Sequence, residues 1–457
     1  MTIAKKAKGN MLEGPLLRAI FSYTIPIILT GILQLLFNAA DLVVVGQFCG
    51  ELSVAAVGNA GTVTALVVNL FIGLSVGTGV TVAQAIGAQK EQSIHRAVHT
   101  ALPAAIVSGA IITVVGLICS EPLLHLMDTP DSVLPLSNLY LKIYFAGIVF
   151  MMVYNFCAAI LRAAGDTKSP LIFLTIAGVV NVVLNVIFVT LFDMNVAGVA
   201  LATTLSQGVS AVLVVIALMR RQDACRLHLS KIRFYKKELL EIIRIGIPAG
   251  IQNCLFSISN VIIQSSINSF GDIFMSGNAA ANNIDGFLYV TLNGFHQTAL
   301  NFIGQNVGAG QYKRARKILW ICLGCVTVLC LALATLIVTF GPQLLSIYIP
   351  NSPEAVAWGM VRLTCLCYPF CFGGWLDVST GALRGAGASI SPMVISVLGI
   401  CGLRILWIYT VFQIPAYHTP QCLYFSYAIS WAVTFVIQLA VFLVMSRRRE
   451  RALEVHS

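Results

Sequence analysis

The chain has 457 residues, of which 58% are hydrophobic and only 10% charged. A soluble domain carries about 25% charged residues, so this composition excludes an ordinary soluble fold and predicts a membrane protein. The net charge of +10 does not signal nucleic acid, because the basic residues cluster between long apolar runs, as membrane topology requires.

A span needs about 20 apolar residues. Twelve runs qualify: 20–46, 54–86, 97–119, 136–161, 170–192, 197–219, 243–269, 278–306, 318–341, 356–383, 392–412 and 423–445. The first follows Lys5, Lys6, Lys8 and Arg18, exceeds a signal-peptide core in length, and reads as an uncleaved first helix. Lys90 and Arg96 follow span 2, and Arg162 and Lys168 follow span 4. A basic connector from Arg220 to Lys237 follows span 6, Lys313, Arg314, Arg316 and Lys317 follow span 8, and Arg447, Arg448, Arg449 and Arg451 follow span 12. The opposite loops hold Glu51, Glu121, Asp128, Asp131, Asp193, Asp272 and Glu354, with Lys142 and Arg362 at the mouths of spans 4 and 10. This asymmetry predicts a multi-pass protein with both termini cytoplasmic.

The chain repeats itself. "LRAAGDTKSP" and "LRGAGASISP" place Arg162 and Arg384 222 positions apart (384 − 162), and Pro26 with Pro248 and Asn38 with Asn260 share that offset. "GLSVGTGVTVAQAIGA" (73–88) aligns with "GFHQTALNFIGQNVGA" (294–309) at an offset of 221 (294 − 73). A near-constant offset over several sites marks an internal duplication. The expectation is an all-α integral membrane fold of two pseudo-symmetric six-helix lobes, 1–219 and 243–445. A basic linker, 220–242, joins them, and a basic tail, 446–457, closes the chain. Six spans return the chain to its starting side, so the lobes are parallel repeats, with sites near midplane. The linker's end, "KKELLEIIRIGIP", suits either a membrane-surface helix or a solvated connector.

Each repeated phrase reads as a tight helix–helix turn. Arg162 and Arg384 are expected to reach headgroups, Gly165 and Gly387 to adopt the left-handed cap, and Ser169-Pro170 and Ser391-Pro392 to cap the next span. The thirteen cysteines, including Cys322 and Cys325, read as small apolar packing residues. Gly73 with Gly77 and Gly304 with Gly308 read as close-packing faces. No Walker sequence, nucleophile triad or metal cluster appears.

These paired turns, with "DLVVVGQFCGELSVAAVG" (41–58) and "VAGVALATTLSQG" (196–208), resemble the multidrug and toxic compound extrusion (MATE) family over essentially the whole chain. The resemblance implies a monomeric exporter of organic, often cationic, molecules in a bacterial plasma membrane. It implies no bound cofactor, and drive by Na⁺ or H⁺. It also implies an N-lobe cation site at Asp41, Asn181, Asn185 and Thr203, and a C-lobe acid near Asp377. A sugar-lipid flippase, an integral-membrane enzyme and a channel are the rival readings.

The residue types agree. Charges inside a span are costly and mark function. Asp41 faces Ile263 across the repeat, so its carboxylate belongs to one lobe only. Asn181 and Asn185 share a helix face. A carboxylate with amide and hydroxyl oxygens suits Na⁺, and a desolvated carboxylate can instead carry a proton. Asp377 (repeat partner Asn155), Asp285, Arg404 and Tyr289 are further substrate or proton candidates. Arg404 is the expected ion-pair partner of Asp377. Asp285 is expected either to line the outward mouth or to be solvated there. Tyr154, Phe287, Tyr289 and Trp375 are candidate aromatic contacts for organic cations.

Overall fold

The apolar runs leave the backbone no solvent partner inside a bilayer, so each must satisfy its own amides as helix. A computed structural model describes residues 11–127, 129–350 and 352–456, so Lys5, Lys6, Lys8 and Asp128 lie outside the described residues. The first six spans are α1 (Leu16–Phe48), α2 (Glu51–Gly87), α3 (Glu91–Leu126), the pair α4 (Leu134–Ala146) and α5 (Ile148–Ala163), α6 (Lys168–Val186) and α7 (Asn195–Met219). The second six are α8 (Lys236–Asn268), α9 (Asp272–Gly308), α10 (Tyr312–Thr339), the pair α12 (Pro353–Leu366) and α13 (Phe370–Gly385), α14 (Ile390–Ser396) with α15 (Leu403–Tyr409), and α16 (Pro420–His456). A short helix, α11 (Gly341–Tyr348), follows α10. Segments of π-helix, Ile187–Leu191 and Val397–Gly402, extend α6 and join α14 to α15.

Among the described residues nine helices are long and apolar enough to cross a membrane, and the two bent pairs bring the number to eleven. The twelfth, α9, fails on composition alone. It is 37 residues long but carries Asn278, Asn282, Asn283, Asp285 and Asn293. Asn282, Tyr289 and Asn293 are exposed along one side of it. A polar stripe of this kind does not face lipid, so it lines water-accessible space.

The chain divides by proximity into two units. Unit 1 holds Leu29–Ile251, and unit 2 joins Met11–Ile28 to Gln252–Ser457. Two helices are thus split, α1 just beyond Pro26 and α8 just beyond Pro248, whereas the sequence reading kept every span within one lobe. In unit 1, Val45, Ala56, Val82, Phe145 and Phe156 are among the core residues; in unit 2, Ile20, Phe274, Phe295, Phe302 and Leu383 are.

The duplication extends to burial. Ser137, Tyr140, Leu141, Phe145 and Ile148 are buried, and so are their repeat partners Gly359, Arg362, Leu363, Cys367 and Phe370. The bends match as well, at 48° between α4 and α5 and 50° between α12 and α13. Gly147 lies at the first bend, at a point where a Cβ would collide with the Thr204 side chain. Its repeat partner, Pro369, breaks the second by lacking an N–H.

The repeated turns adopt the expected caps. Gly165 (φ 88°) and Gly387 (φ 82°) are left-handed. Asp166 N donates to Leu161 O and Ala388 N to Leu383 O, closing the carbonyls of each helix end. Two expectations fail. Ser169 is not an N-cap: its amide and hydroxyl both donate to Asp166, at 3.0 and 2.6 Å, inside a helix that already starts at Lys168. Ser391 likewise lies within α14, which starts at Ile390. Arg384 does not reach headgroups; it is 4% exposed and donates through Nη2 to Gln252 Oε1 at 2.9 Å.

The linker's end is helical, with Lys236, Lys237, Glu241 and Arg244 exposed. "KKELLEIIRIGIP" forms the first turns of α8, whose Gly246 and Gly250 lie backbone to backbone against Gly73 and Leu70 of α2. Upstream, Cys225 and Leu227 are buried in unit 1, His228 N donates to His99 Nε2 (3.0 Å) and Tyr235 N to Thr100 Oγ1 (3.1 Å). Burial pushes the Cys225 thiol up to about 12. The basic tail continues α16 as helix, and Glu450 on it pairs with Arg316 at 2.7 Å.

Candidate functional site

Unit 1 brings four of the sequence-derived residues into one hydrogen-bonded chain. Asp41 lies in the second half of α1, half-buried. Asn185 on α6 donates through Nδ2 to Asp41 Oδ1 and also to Asn181 Oδ1 at 3.2 Å. Asn181 Nδ2 in turn donates to Thr203 Oγ1 on α7 at 3.3 Å, and that hydroxyl donates back to Val199 O at 2.9 Å. The four-residue spacing stacks both amides on one face of α6. Tyr140 on α4 adjoins the chain beside Thr203. The π-helical turn begins two residues after Asn185. Such a turn widens a helix locally, and π-turns recur at functional sites.

One atom of the chain stands out. Asn185 Oδ1 is buried and has no hydrogen-bond partner. A buried acceptor left unpaired costs about 1–3 kcal/mol. The carboxylate, two amides and two hydroxyls are the hard oxygen donors that a proton or an alkali cation takes.

Unit 2 arranges its charges differently. Asp377, half-buried on α13, shares its surroundings with Arg384 and with Tyr289 on α9. His296 on α9 hydrogen-bonds the Asp377 backbone carbonyl through Nδ1 at 2.8 Å. A carbonyl only accepts, so that nitrogen carries the proton. Tyr289 is 59% exposed, on the polar stripe of α9.

Arg404 does not pair with Asp377. Its Nε donates to Ser430 Oγ at 3.0 Å, and its guanidinium lies 3.9 Å from the Tyr427 ring centroid and 5.5 Å from that of Trp431. The cation is held by π faces and a hydroxyl on α16 rather than by an acid. Asp285 neither lines an open mouth nor is solvated. It is 3% exposed and accepts from Arg362 Nε at 2.8 Å. Asn155 is satisfied within its own helix, donating to Met151 O at 2.9 Å, and joins no site. Tyr154 is a structural tie, its hydroxyl donating to Pro170 O at 3.1 Å.

Tyr140, His296, Arg362 and Arg384 were not assigned to a site from sequence. The sequence reads Arg362 as lying at the mouth of span 10, and its partner Asp285 lies 77 positions away. The spacing of Asn278, Asn282 and Asp285 on one helical face was the available signal.

The MatE family profile matches residues 26–187 and 248–410. The chain is 30% identical over 394 residues to the probable multidrug resistance protein YpnP of Bacillus subtilis, covering 86% of this chain and 87% of that one. It is 25% identical over 414 residues to an FAD transporter of Shewanella oneidensis (88% of each chain), and 22% identical over 411 residues to the multidrug export protein MepA of Staphylococcus aureus (86% and 90%). A MOP superfamily transporter from Pyrococcus furiosus superposes with a TM-score of 0.90 at 22% identity, over 99% of this chain and all of that one. A MATE transporter in a bent conformation gives 0.88 at 22% identity, over 99% of each. These structural likenesses concern the fold.

Proposed function

The chain belongs to the MATE family of multi-pass membrane transporters, and from that premise we propose that it is a cation-coupled antiporter exporting organic, cationic or amphipathic compounds. The observation that carries the reading is the Asp41–Asn185–Asn181–Thr203 chain in unit 1. The repeat partner of Asp41 is Ile263, which is 1% exposed. An acid retained at one of two equivalent positions serves exchange.

The hydrogen-bond arrangement favours a proton as the coupling ion. Asp41 already accepts an amide N–H through Oδ1, and its second oxygen can take H⁺ without moving a neighbour. Sodium requires Asn185 to turn its amide oxygen toward the carboxylate, a rotation that exchanges two atoms alike in size. Neutralising Asp41 weakens the charge-assisted bond from Asn185. The second half of α1 lies with unit 1 and Met11–Ile28 with unit 2, so a change at Asp41 passes along one helix, past Pro26. In this reading that change drives alternating access.

Asp377 with Tyr289 is the substrate-facing acid. A carboxylate beside an exposed aromatic ring suits an organic cation. The protein works as a monomer in a bacterial plasma membrane with its basic ends in the cytoplasm. The test is efflux of a fluorescent organic cation from proteoliposomes under separate Na⁺ and H⁺ gradients. Stimulation by the proton gradient is expected, stimulation by sodium alone moves the assignment to Na⁺, and no response to either defeats the mechanism.

A further inference from the structure

Unit 2 contains a polar site as complete as that of unit 1. Arg362 on α12 is 7% exposed. Its Nε donates to Asp285 Oδ2, its Nη1 to Asn278 Oδ1 and its Nη2 to Asn282 Oδ1, each at 2.8 Å. Tyr424 on α16 donates its hydroxyl to the same Asn278 oxygen at 2.9 Å and presents its ring 5.9 Å from the guanidinium carbon. Every nitrogen of the guanidinium thus meets its own oxygen, beside an aromatic ring. Three helices supply five side chains to this one arrangement. A buried ion pair is weak evidence for stability, since well-packed apolar residues often do as well. So elaborate an oxygen cage calls for another explanation.

The repeat supplies it. Arg362 is the partner of Tyr140, both buried, and Tyr140 borders the Asp41 site. Asn278, Asn282 and Asp285 fall on Val57, Gly61 and Thr64 of α2, which form no such cage, while Asp41 falls on Ile263. Each unit therefore has one acid-centred site beside the same α4 or α12 position. In unit 1 the acid meets only neutral amides and hydroxyls. In unit 2 it meets a cation that is part of the chain.

We propose that Asp285, Asn278, Asn282 and Tyr424 form a binding site for a planar, monovalent guanidinium-class cation, that Arg362 is its tethered occupant, and that Asp285 is thereby withdrawn from the ion exchange assigned to Asp41. Arg362 is a positioning residue in this role and touches no exported molecule. The inference rests on Asp41 being the exchangeable site. Failure of that premise appears as efflux unaffected by Asp41→Asn, which the following stability measurement does not read.

The full chain is purified in detergent and its unfolding temperature measured. Arg362→Ala lowers it, and millimolar guanidinium chloride restores at least half of the loss. Tetramethylammonium chloride, a cation without N–H donors, restores none. The Arg362→Ala, Asp285→Asn double variant gains nothing from guanidinium. No restoration in the single variant, or equal restoration in the double, overturns the proposal. Should Arg362→Ala fail to assemble, Arg362→Lys and Arg362→Met decide between charge and volume. The lysine variant is expected to retain more stability and more efflux, with its ion dependence unchanged; the reverse order overturns the proposal.

Discussion

Asp41, half-buried, and Asp285, buried, are both acids within a bundle of spans, yet they are answered in opposite ways. Asp41 has a neutral amide as its donor, and Asn185 Oδ1 beside it is left unpaired. Asp285 has a guanidinium at 2.8 Å, which also donates to two asparagine oxygens, although Asp285 Oδ1 is likewise left without a partner. A carboxylate in a low-dielectric site needs a positive partner, and whether that partner is mobile or covalent decides whether the site can cycle. One duplicated architecture thus holds one open site and one closed one.

The comparison breaks first at Asp41. Asp41→Asn is expected to reduce gradient-driven efflux to the level of empty liposomes while the variant stays folded; full efflux removes unit 1 from the mechanism. The next largest effect is on stability. Arg362→Met strands a buried carboxylate and should cost about 3–5 kcal/mol, read as a lower midpoint of thermal or denaturant unfolding. Asp41→Asn, which leaves no buried charge behind, should cost far less in the same assay. A smaller effect sharpens the open site. Asn185→Ala removes the donor that favours the charged form of Asp41 and should lower the half-saturating proton concentration by roughly five- to 150-fold, the equivalent of about 1–3 kcal/mol. Arg404→Gln should lose about 0.5–2 kcal/mol of stability with its π contacts and leave efflux unchanged. Loss of transport without loss of stability would return Arg404 to the substrate path.

The smallest test checks where the units remain alike. Gly165→Ala and Gly387→Ala each force a side chain into a left-handed cap, at about 1–2 kcal/mol. The two costs should agree, because the repeated turns have the same hydrogen bonds.

Some of this was legible because the signal is local or periodic. The apolar runs gave the spans, the 222-residue offset gave the duplication, and glycine after L-R-x-A gave two left-handed caps. Asp41, Asn181, Asn185 and Thr203 were named because a family resemblance pointed to them, and the structure does bring them into one chain. Partners across long sequence distances were not legible. Arg404 was matched to Asp377 on the argument that one buried charge needs another, but aromatic faces on α16 met that need. Arg384, like Arg162, reads from the repeated phrase as a helix-end residue reaching headgroups, and only the packing of α8 buries it on Gln252.

By itself, then, the sequence determined that this is a membrane protein of twelve apolar or nearly apolar helices, written twice. It also determined that an acid in α1 has no twin, because composition and spacing act along the chain. The tertiary structure decided which charges are free. Pairing depends on which helix faces meet, and Arg362 and Asp285 meet because α9 and α12 pack against each other. The same packing leaves Asp41 with amides alone. In a low dielectric that difference separates a site that can exchange an ion from one that cannot.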